Sequence, residues 1–167
     1  MALVDKLDVV VKQFALTPSC LTLEVTETIL MRDTDHSFTM LDELHARGYG
    51  LSLDDFGTGY SSLSYLKRLM VDELKVDRSF VTECAQGGRD GVLAATIIAL
   101  GLELGLQVVA EGIETPEQSL FVLSHGCSTQ QGFLFSGPVA ASEFGRMLRD
   151  GLDAQLVPLD KLKLLIK

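Results

Sequence analysis

The sequence has few cysteines, few basic residues and no long apolar run. Its cysteines, Cys20, Cys84 and Cys127, are odd in number and widely spaced, so they form no zinc motif and predict buried, reduced thiols in a cytosolic protein. With 14 basic residues against 23 acidic ones, the net charge is −9, which argues against DNA binding through phosphate contacts. The absence of a signal peptide and of 18 consecutive apolar residues predicts a chain without a membrane segment.

The residues that are present alternate between strand patterns and helix patterns. The chain has 167 residues, 47% of them hydrophobic, which is enough for one domain with a core. Alternating apolar and polar residues predict strands over residues 21–26, 50–54, 71–77, 106–111 and 127–133. Helical spacing predicts helices over residues 1–15, 34–47, 61–69, 89–104, 115–125 and 142–148. This order predicts an α/β fold of about five parallel βα units.

Two of these helices have marked starts. Thr115-Pro116-Glu117-Gln118 combines a Thr cap, a proline at the first helical position and a glutamine at the third, which is the capping-box pattern. Ser142 is expected to cap the last helix.

The strand patterns also separate polar from apolar side chains. In the first strand, for example, Leu23 and Val25 oppose Glu24. An open doubly wound sheet needs apolar residues on both faces, whereas a barrel places its chemistry at the C-terminal ends of its strands. The pattern therefore predicts a TIM-like barrel arrangement in which five polar side chains converge on one mouth: Glu24, Asp54, Lys75, Glu111 and Gln131.

Two adjacent carboxylates end the second strand. Asp54 and Asp55 are followed by Gly57 and Gly59, which favour a tight or left-handed backbone, and the same residues are common in solvated turns. Carboxylates without a Cys or His ligand suit Mg²⁺ or Mn²⁺ rather than zinc. Asp54 and Asp55 would serve two ions about 4 Å apart, as in two-metal phosphoester hydrolysis.

Lys75 has three interpretations at this mouth. Among acids it would orient or polarise a catalytic water, and its structural alternative is an ion pair with Glu73 or Asp77. A Schiff-base lysine of the aldolase kind is also compatible with the spacing. An acidic surround keeps a lysine protonated, which disfavours this last use.

Five sequence motifs lie at or near these strand ends. One is the loop Asp-Asp-Phe-Gly-Thr-Gly-Tyr-Ser-Ser-Leu, which begins at Asp54. The others are Leu23-Glu24-Val25-Thr26-Glu27, Glu73-Leu74-Lys75-Val76-Asp77, Ala110-Glu111-Gly112-Ile113-Glu114-Thr115 and Gln131-Gly132-Phe133-Leu134-Phe135-Ser136-Gly137-Pro138. Together these motifs resemble those of the EAL domain, a bacterial family that hydrolyses cyclic di-GMP, and the match to the loop is complete. The resemblance covers roughly residues 8–150.

The resemblance implies a role for each residue of the site. Glu24 and Asp54 bind the first metal, Asp54 bridges to the second, and Asp55 and Glu111 belong to the second site. The catalytic group comprises Lys75, which contacts the catalytic water, together with Asp55 and Glu111. Gln131 supports the metal or substrate site, and Glu27 steadies the Asp-Asp-Phe-Gly loop. The loop residues Gly57, Thr58 and Gly59 either contact the substrate or support the residues that do.

The sequence also departs from the family. The Glu-Ala-Leu motif is absent, and with it a metal-binding Glu, a phosphate-contacting Arg and an Asn metal ligand. An eight-stranded barrel typically takes ~250 residues, so residues 1–150 are interpreted as a truncated EAL domain that lacks its N-terminal strands, and residues 151–167 as a tail of unknown role.

These departures leave two functions open. The first is a cyclic di-GMP phosphodiesterase fragment with a two-metal Mg²⁺ or Mn²⁺ site, which releases linear pGpG and whose activity alone is expected to be poor or absent. The second is a catalytically silent module that binds cyclic di-GMP or a protein. In both cases we expect a cytoplasmic bacterial protein that forms a homo-oligomer, such as a dimer, or binds a partner chain that completes the barrel, because open sheet edges recruit other strands.

Overall fold

The computed structural model describes residues 3–32, 34–58, 66 and 68–150. The chain forms two compact units. The first unit contains the residues up to Val76 together with Gly101–Val108, and the second contains Asp77–Leu100 together with the residues from Val109 onward.

Parallel strands and helices alternate along the described residues, as predicted. The strands are β1 (Thr22–Thr26), β2 (Gly50–Phe56), β3 (Glu73–Val76), β4 (Gln107–Ala110) and β5 (Thr129–Gln130), in one sheet of order β1-β2-β3-β4-β5. The helices are α1 (Leu3–Gln13), α2 (Glu27–Arg32), α3 (Thr34–Ala46), α4 (Arg78–Val81), α5 (Gly88–Glu103), α6 (Pro116–Ser124) and α7 (Ala141–Asp150). Short 3₁₀ turns cover Pro18–Cys20 and Cys84–Gln86. The α/β class with five parallel strands is therefore confirmed.

The core of the first unit lies on the apolar face of its strands. Leu23 pairs with Leu51 and Val25 with Leu53 in parallel register, which puts these residues on one side of β1 and β2. The apolar residues of this unit that are exposed by 2% or less are Val4, Leu41, Leu44, Tyr49, Leu51, Leu53, Leu74 and Val76. Full burial of a leucine side chain stabilises a fold by roughly 2 kcal/mol, so this set holds the unit together.

The second unit is organised around the start of α6. The Thr115 hydroxyl accepts a hydrogen bond from Gln118 N at 3.3 Å, and Gln118 Oε1 accepts one from Thr115 N at 3.0 Å, so the predicted capping box is confirmed. Gln118 Nε2 also donates to the carbonyl oxygen of Thr82 at 2.9 Å. The same glutamine therefore caps the helix and ties it to the turn after α4.

Some expectations from the sequence are wrong at this level. The fifth strand was expected over residues 127–133 but is confined to Thr129–Gln130, because the chain opposite it leaves the ladder after Ala110 and turns at Gly112, where φ is +68°. Ser142 lies inside α7, which begins one residue earlier, so it does not cap this helix. Most of the predicted helix over residues 61–69 lies outside the described residues.

The cysteines do not share one environment. Cys84 and Cys127 are buried, as expected, and burial raises the pKa of both thiols. Cys20 is exposed, because it ends the 3₁₀ turn that precedes β1, and a hydrogen bond with the Thr17 hydroxyl lowers the pKa of its thiol. No helix in the described part of the chain is long and apolar enough to span a bilayer.

Candidate functional site

A cluster of charged side chains lies on the polar face of the first unit's strands. Lys75 Nζ lies 2.8 Å from Glu24 Oε1 and 3.5 Å from Asp54 Oδ1. The register explains this placement, because Ser52 of β2 is paired with Glu24 of β1 on one side and with Glu73 of β3 on the other. Glu24, Ser52 and Glu73 therefore share a face, and Lys75, two residues after Glu73, shares it too.

Burial within the cluster is uneven. The side chain of Lys75 is only 6% exposed, that of Asp54 is 19% exposed, and that of Glu24 is 56% exposed. A buried ammonium needs an opposite charge close by, and the two carboxylates supply it. The alternative partners from the sequence have other bonds: Glu73 Oε1 accepts a hydrogen bond from the Ser52 hydroxyl at 2.7 Å, and Asp77 caps α4 by accepting one from Ser79 N at 3.0 Å.

A β-bulge places both adjacent aspartates opposite Lys75. Leu53 pairs with Leu74 and Phe56 pairs with Val76, so the two residues between Leu53 and Phe56 face the single residue between Leu74 and Val76. Asp55 has φ +56°, in the left-handed region that aspartate tolerates better than most residues. Its backbone N donates to Asp54 Oδ1 at 2.9 Å.

The loop after the bulge is held by a hydrogen bond to Glu27, which directly follows β1. Glu27 is buried at the first position of α2, and its Oε2 accepts a hydrogen bond from Gly57 N at 3.2 Å. The N and Oγ1 atoms of Thr58 both donate to the Asp55 carbonyl, at 3.2 and 2.8 Å. The start of α2 thus holds the turn that follows β2. Gly59 lies outside the described residues.

The remaining predicted site residues belong to the second unit. Glu111 follows β4 directly and is half-buried, and Gln131 follows β5 with an exposed side chain. The backbone of Gln131 is pinned, because its N donates to the Ala110 carbonyl at 2.9 Å and its carbonyl accepts from Ile113 N at 3.0 Å. Gln131 lines a cavity of about 400 Å³, to which Arg78, Gly112, Glu114 and Phe133 also contribute.

The predicted residues are therefore brought together in part. Glu24, Asp54 and Lys75 form one cluster, Asp55 adjoins it, and Glu27 bonds the following loop. Sequence reasoning missed Arg78, which lines the cavity of the second unit. The available signal was its position directly after the Lys-Val-Asp end of the third strand pattern.

The cluster fits a divalent cation in the kind of donor it offers. Carboxylate oxygens such as those of Glu24 and Asp54 are the ligands that Mg²⁺ and Mn²⁺ prefer. The number of donors is short, however, because the described residues contain no group of three His, Cys, Asp or Glu side chains arranged to hold a metal ion. Within the described residues, these two carboxylates offer donors of the right kind for such a cation but no complete set of ligands.

Comparison with known proteins identifies relatives over most of the chain. The family model of the EAL domain matches residues 2–138. The bifunctional diguanylate cyclase/cyclic di-GMP phosphodiesterase MucR of Pseudomonas aeruginosa is 49% identical over 141 residues, which are 84% of this chain and 21% of MucR. The cyclic di-GMP phosphodiesterase NbdA of the same organism is 46% identical over 148 residues, 89% of this chain and 19% of NbdA. The chain therefore spans about a fifth of the length of these curated relatives.

Solved structures agree with these matches. The MucR phosphodiesterase in complex with cyclic di-GMP has a TM-score of 0.81 at 48% identity and covers 85% of this chain, which in turn covers 57% of that one. The EAL domain of Mycobacterium smegmatis DcpA has a TM-score of 0.83 at 42% identity, over 93% of this chain and 68% of that one. Klebsiella pneumoniae BlrP1, solved as a manganese and cyclic di-GMP complex, has a TM-score of 0.76 at 38% identity, over 81% of this chain and 34% of that one.

Proposed function

The chain belongs to the EAL domain family, and we propose that it is part of a metal-dependent phosphodiesterase domain that hydrolyses cyclic di-GMP to linear pGpG. The observation that carries this proposal is the cluster in which Lys75 lies against Glu24 and Asp54, with Asp55 in the adjoining bulge. Relatives named as cyclic di-GMP phosphodiesterases, and the MucR complex with cyclic di-GMP, support the choice of substrate.

The carboxylates are the metal-binding part of this proposal. Glu24 and Asp54 would hold the first Mg²⁺ or Mn²⁺ ion, and Asp54, Asp55 and Glu111 would contribute to a second. A bound divalent ion lowers the pKa of water and offsets negative charge on a phosphate. The manganese complex of BlrP1 supports the choice of cation class.

Lys75 would act on the attacking water and on the phosphate. Its ammonium is a hydrogen-bond donor at a fixed, buried position, so it would donate to the attacking water or to a phosphate oxygen whose negative charge grows during the reaction. This role needs the protonated amine, and the two carboxylates that lie within 4 Å of Lys75 Nζ, those of Glu24 and Asp54, favour that form. Four further residues would position the substrate or support the residues that contact it: Gln131, Gly57, Thr58 and Gly59.

Metal binding tests the proposal directly. Mn²⁺ or Mg²⁺ at 100 times its dissociation constant should stabilise the chain by about 2.7 kcal/mol and raise its melting temperature, because the ions bind only the folded state. Asp54→Asn should weaken this response more than Asp55→Asn, because Asp54 is the expected bridge. Asp42→Asn, which removes an exposed carboxylate of α3, is the matched control and should respond as the wild type does. A metal response that is the same in the wild type and in Asp54→Asn would refute the assignment.

A silent binding module is the second candidate function. It is favoured because the described residues hold no complete group of metal ligands. Calorimetry with cyclic di-GMP and an assay for released pGpG, on the same sample, separate the two candidates. Binding without pGpG release indicates the silent module, whereas release that Asp54→Asn abolishes indicates the phosphodiesterase.

The assembly of the chain is also part of the proposal. β1 is the first strand in the order of the sheet, and a sheet edge leaves backbone groups that can pair with another strand. We therefore expect a homo-oligomer, such as a dimer, or a complex with a partner segment that completes the barrel. Light scattering should report a mass above that of one chain, and a monodisperse monomer with full phosphodiesterase activity would contradict this expectation. A cytoplasmic location, the lack of DNA binding, and the division into residues 1–150 and 151–167 belong to the same proposal.

A further inference from the structure

The cavity of the second unit contains an arginine for which the proposed reaction has no use. Its volume is about 400 Å³, and Arg78 lines it together with Gly112, Glu114, Gln131 and Phe133. The functional roles given above involve only Gln131. The rest of the cavity wall consists of two charged groups and an aromatic ring, together with three glycines, Ser136 and Pro138.

Arg78 is held in place although it is largely exposed. A Cβ atom on Gly112 would lie 2.4 Å from Arg78 Cγ and 2.7 Å from its Cβ, so the arginine stem lies directly on the glycine backbone. Arg78 Nη2 lies 3.1 Å from Glu114 Oε1, with 62% of the Arg78 side chain exposed. Glu114 is fixed in turn, because its N donates to Gln118 Oε1 at 2.8 Å.

This arrangement leaves the guanidinium with donors for a ligand. A guanidinium has five N–H donors in a rigid plane, and the ion pair with Glu114 engages one end of it. A fixed planar donor pair matches two adjacent acceptors on a ligand better than a single point charge does.

Phe133 supplies a different kind of contact in the same cavity. Its ring is 66% exposed, which is unusual for a large aromatic side chain, and Gly137 packs beside it, since a Cβ atom there would lie 3.7 Å from the ring. Exposed aromatic rings beside an arginine are the elements that bind a nucleobase, through stacking on the ring and hydrogen bonds to the base edge.

We propose that Arg78 is the specificity-determining residue of this cavity and selects guanine over adenine. The base stacks on Phe133, and the guanidinium donates to the O6 and N7 acceptors of guanine. Adenine has N7 but presents an amino group in place of O6, so one arginine donor would meet another donor. This inference rests on the proposed function, which makes a guanine nucleotide the substrate.

The test measures the binding of GMP and AMP to the chain in EDTA, by calorimetry or ligand-detected NMR. The wild type should bind GMP roughly tenfold or more tightly than AMP, the discrimination expected of a good bidentate pair. Arg78→Ala should remove this preference, and Arg78→Lys should remove most of it, because lysine has no planar donor pair. Arg89→Ala, which removes an exposed arginine of α5, is the matched control and should keep the preference.

The outcomes separate this inference from the phosphodiesterase proposal. No preference for GMP in the wild type, or an unchanged preference in Arg78→Ala, would overturn the role of Arg78. Circular dichroism of Arg78→Ala should match that of Arg89→Ala, which shows that a lost preference does not come from unfolding. Because EDTA removes divalent ions, the comparison of GMP with AMP does not depend on metal binding. A failed metal response in the Asp54→Asn experiment therefore leaves the guanine preference intact. A missing guanine preference likewise leaves the metal-binding proposal intact.

Discussion

Gly132→Ala tests how closely the backbone packs directly after Gln131. A Cβ atom at residue 132 would lie 2.0 Å from the carbonyl oxygen of Ile113 and 2.4 Å from its nitrogen. Both atoms belong to the backbone, so no side-chain rotation can relieve the overlap. The two segments must move apart by roughly 1.5 Å to restore an ordinary van der Waals contact.

The cost follows from the hydrogen bonds that this movement breaks. Ile113 N donates to the Gln131 carbonyl and Leu134 N donates to the Ile113 carbonyl, both at 3.0 Å, and Ile113 is fully buried. Each buried backbone group left without a partner costs ~1–3 kcal/mol, so the substitution should destabilise the second unit by roughly 2–5 kcal/mol. For a chain of this size, a loss of that order lowers the melting temperature by roughly 5–15 °C.

Thermal unfolding followed by circular dichroism measures this effect, with Gly87→Ala as the control. Gly87 has φ +78° and ψ −157°, a backbone region that is essentially restricted to glycine, but nothing lies within 4 Å of its would-be Cβ, so alanine there has only a backbone cost of ~1–3 kcal/mol. Gly132→Ala should therefore be the less stable variant. Equal stability of Gly132→Ala and wild type, or a milder effect than that of Gly87→Ala, would refute the close approach described here.

Two further predictions concern single ionisable groups. In a version of the domain with the N-terminal strands restored, Lys75→Ala should lower turnover by ~10²-fold or more with little change in substrate affinity, measured as pGpG release. Unchanged turnover would leave Lys75 as a structural ion pair, and borohydride trapping of a carbonyl substrate on it would favour the Schiff-base alternative. A hydrogen bond from the Tyr49 hydroxyl, supported by Arg47, lowers the pKa of Asp8. A lowered pKa gives stability that is present above the unfolded value of about 3.9 and lost as the pH falls through the folded value. Tyr49→Phe should thus be less stable than wild type at pH 7, and the gap in urea unfolding should narrow below about pH 4; a constant gap would argue against this coupling.

Features encoded within a few residues could be predicted from the sequence. The capping box at Thr115 and Gln118 depends only on four consecutive residues, and the structure has both of its hydrogen bonds. Strand alternation placed Glu24, Asp54 and Lys75 on one face, and the family resemblance is confirmed by the match over residues 2–138.

Features that depend on contacts between distant segments could not be predicted. The end of β5 at Gln130 is set by the turn at Gly112, which follows the neighbouring strand β4. The short helix α4 needs Asp77 as a cap, and the sequence motif gave no sign of a helix there. Simple alternation also gave no sign that β2 contains a bulge, because a bulge is defined by its partner strand.

The bulge at Asp54 and Asp55 has a consequence for insertions and deletions. Counting by twos from Asp54 would put Phe56 on the polar face, yet Phe56 pairs with the buried Val76 and is itself buried. The extra residue therefore shifts the alternation of side chains along β2 by one position. Two acidic residues are adjacent at the bulge, and Phe56 still faces the core. A chain that lost Asp55 would recover a regular ladder from Leu53 to Phe56 and keep its core contact, while it lost one carboxylate. A homologue that lacks this residue should therefore keep the ladder of β2, while it loses the Asp55 carbonyl that accepts both hydrogen bonds from Thr58.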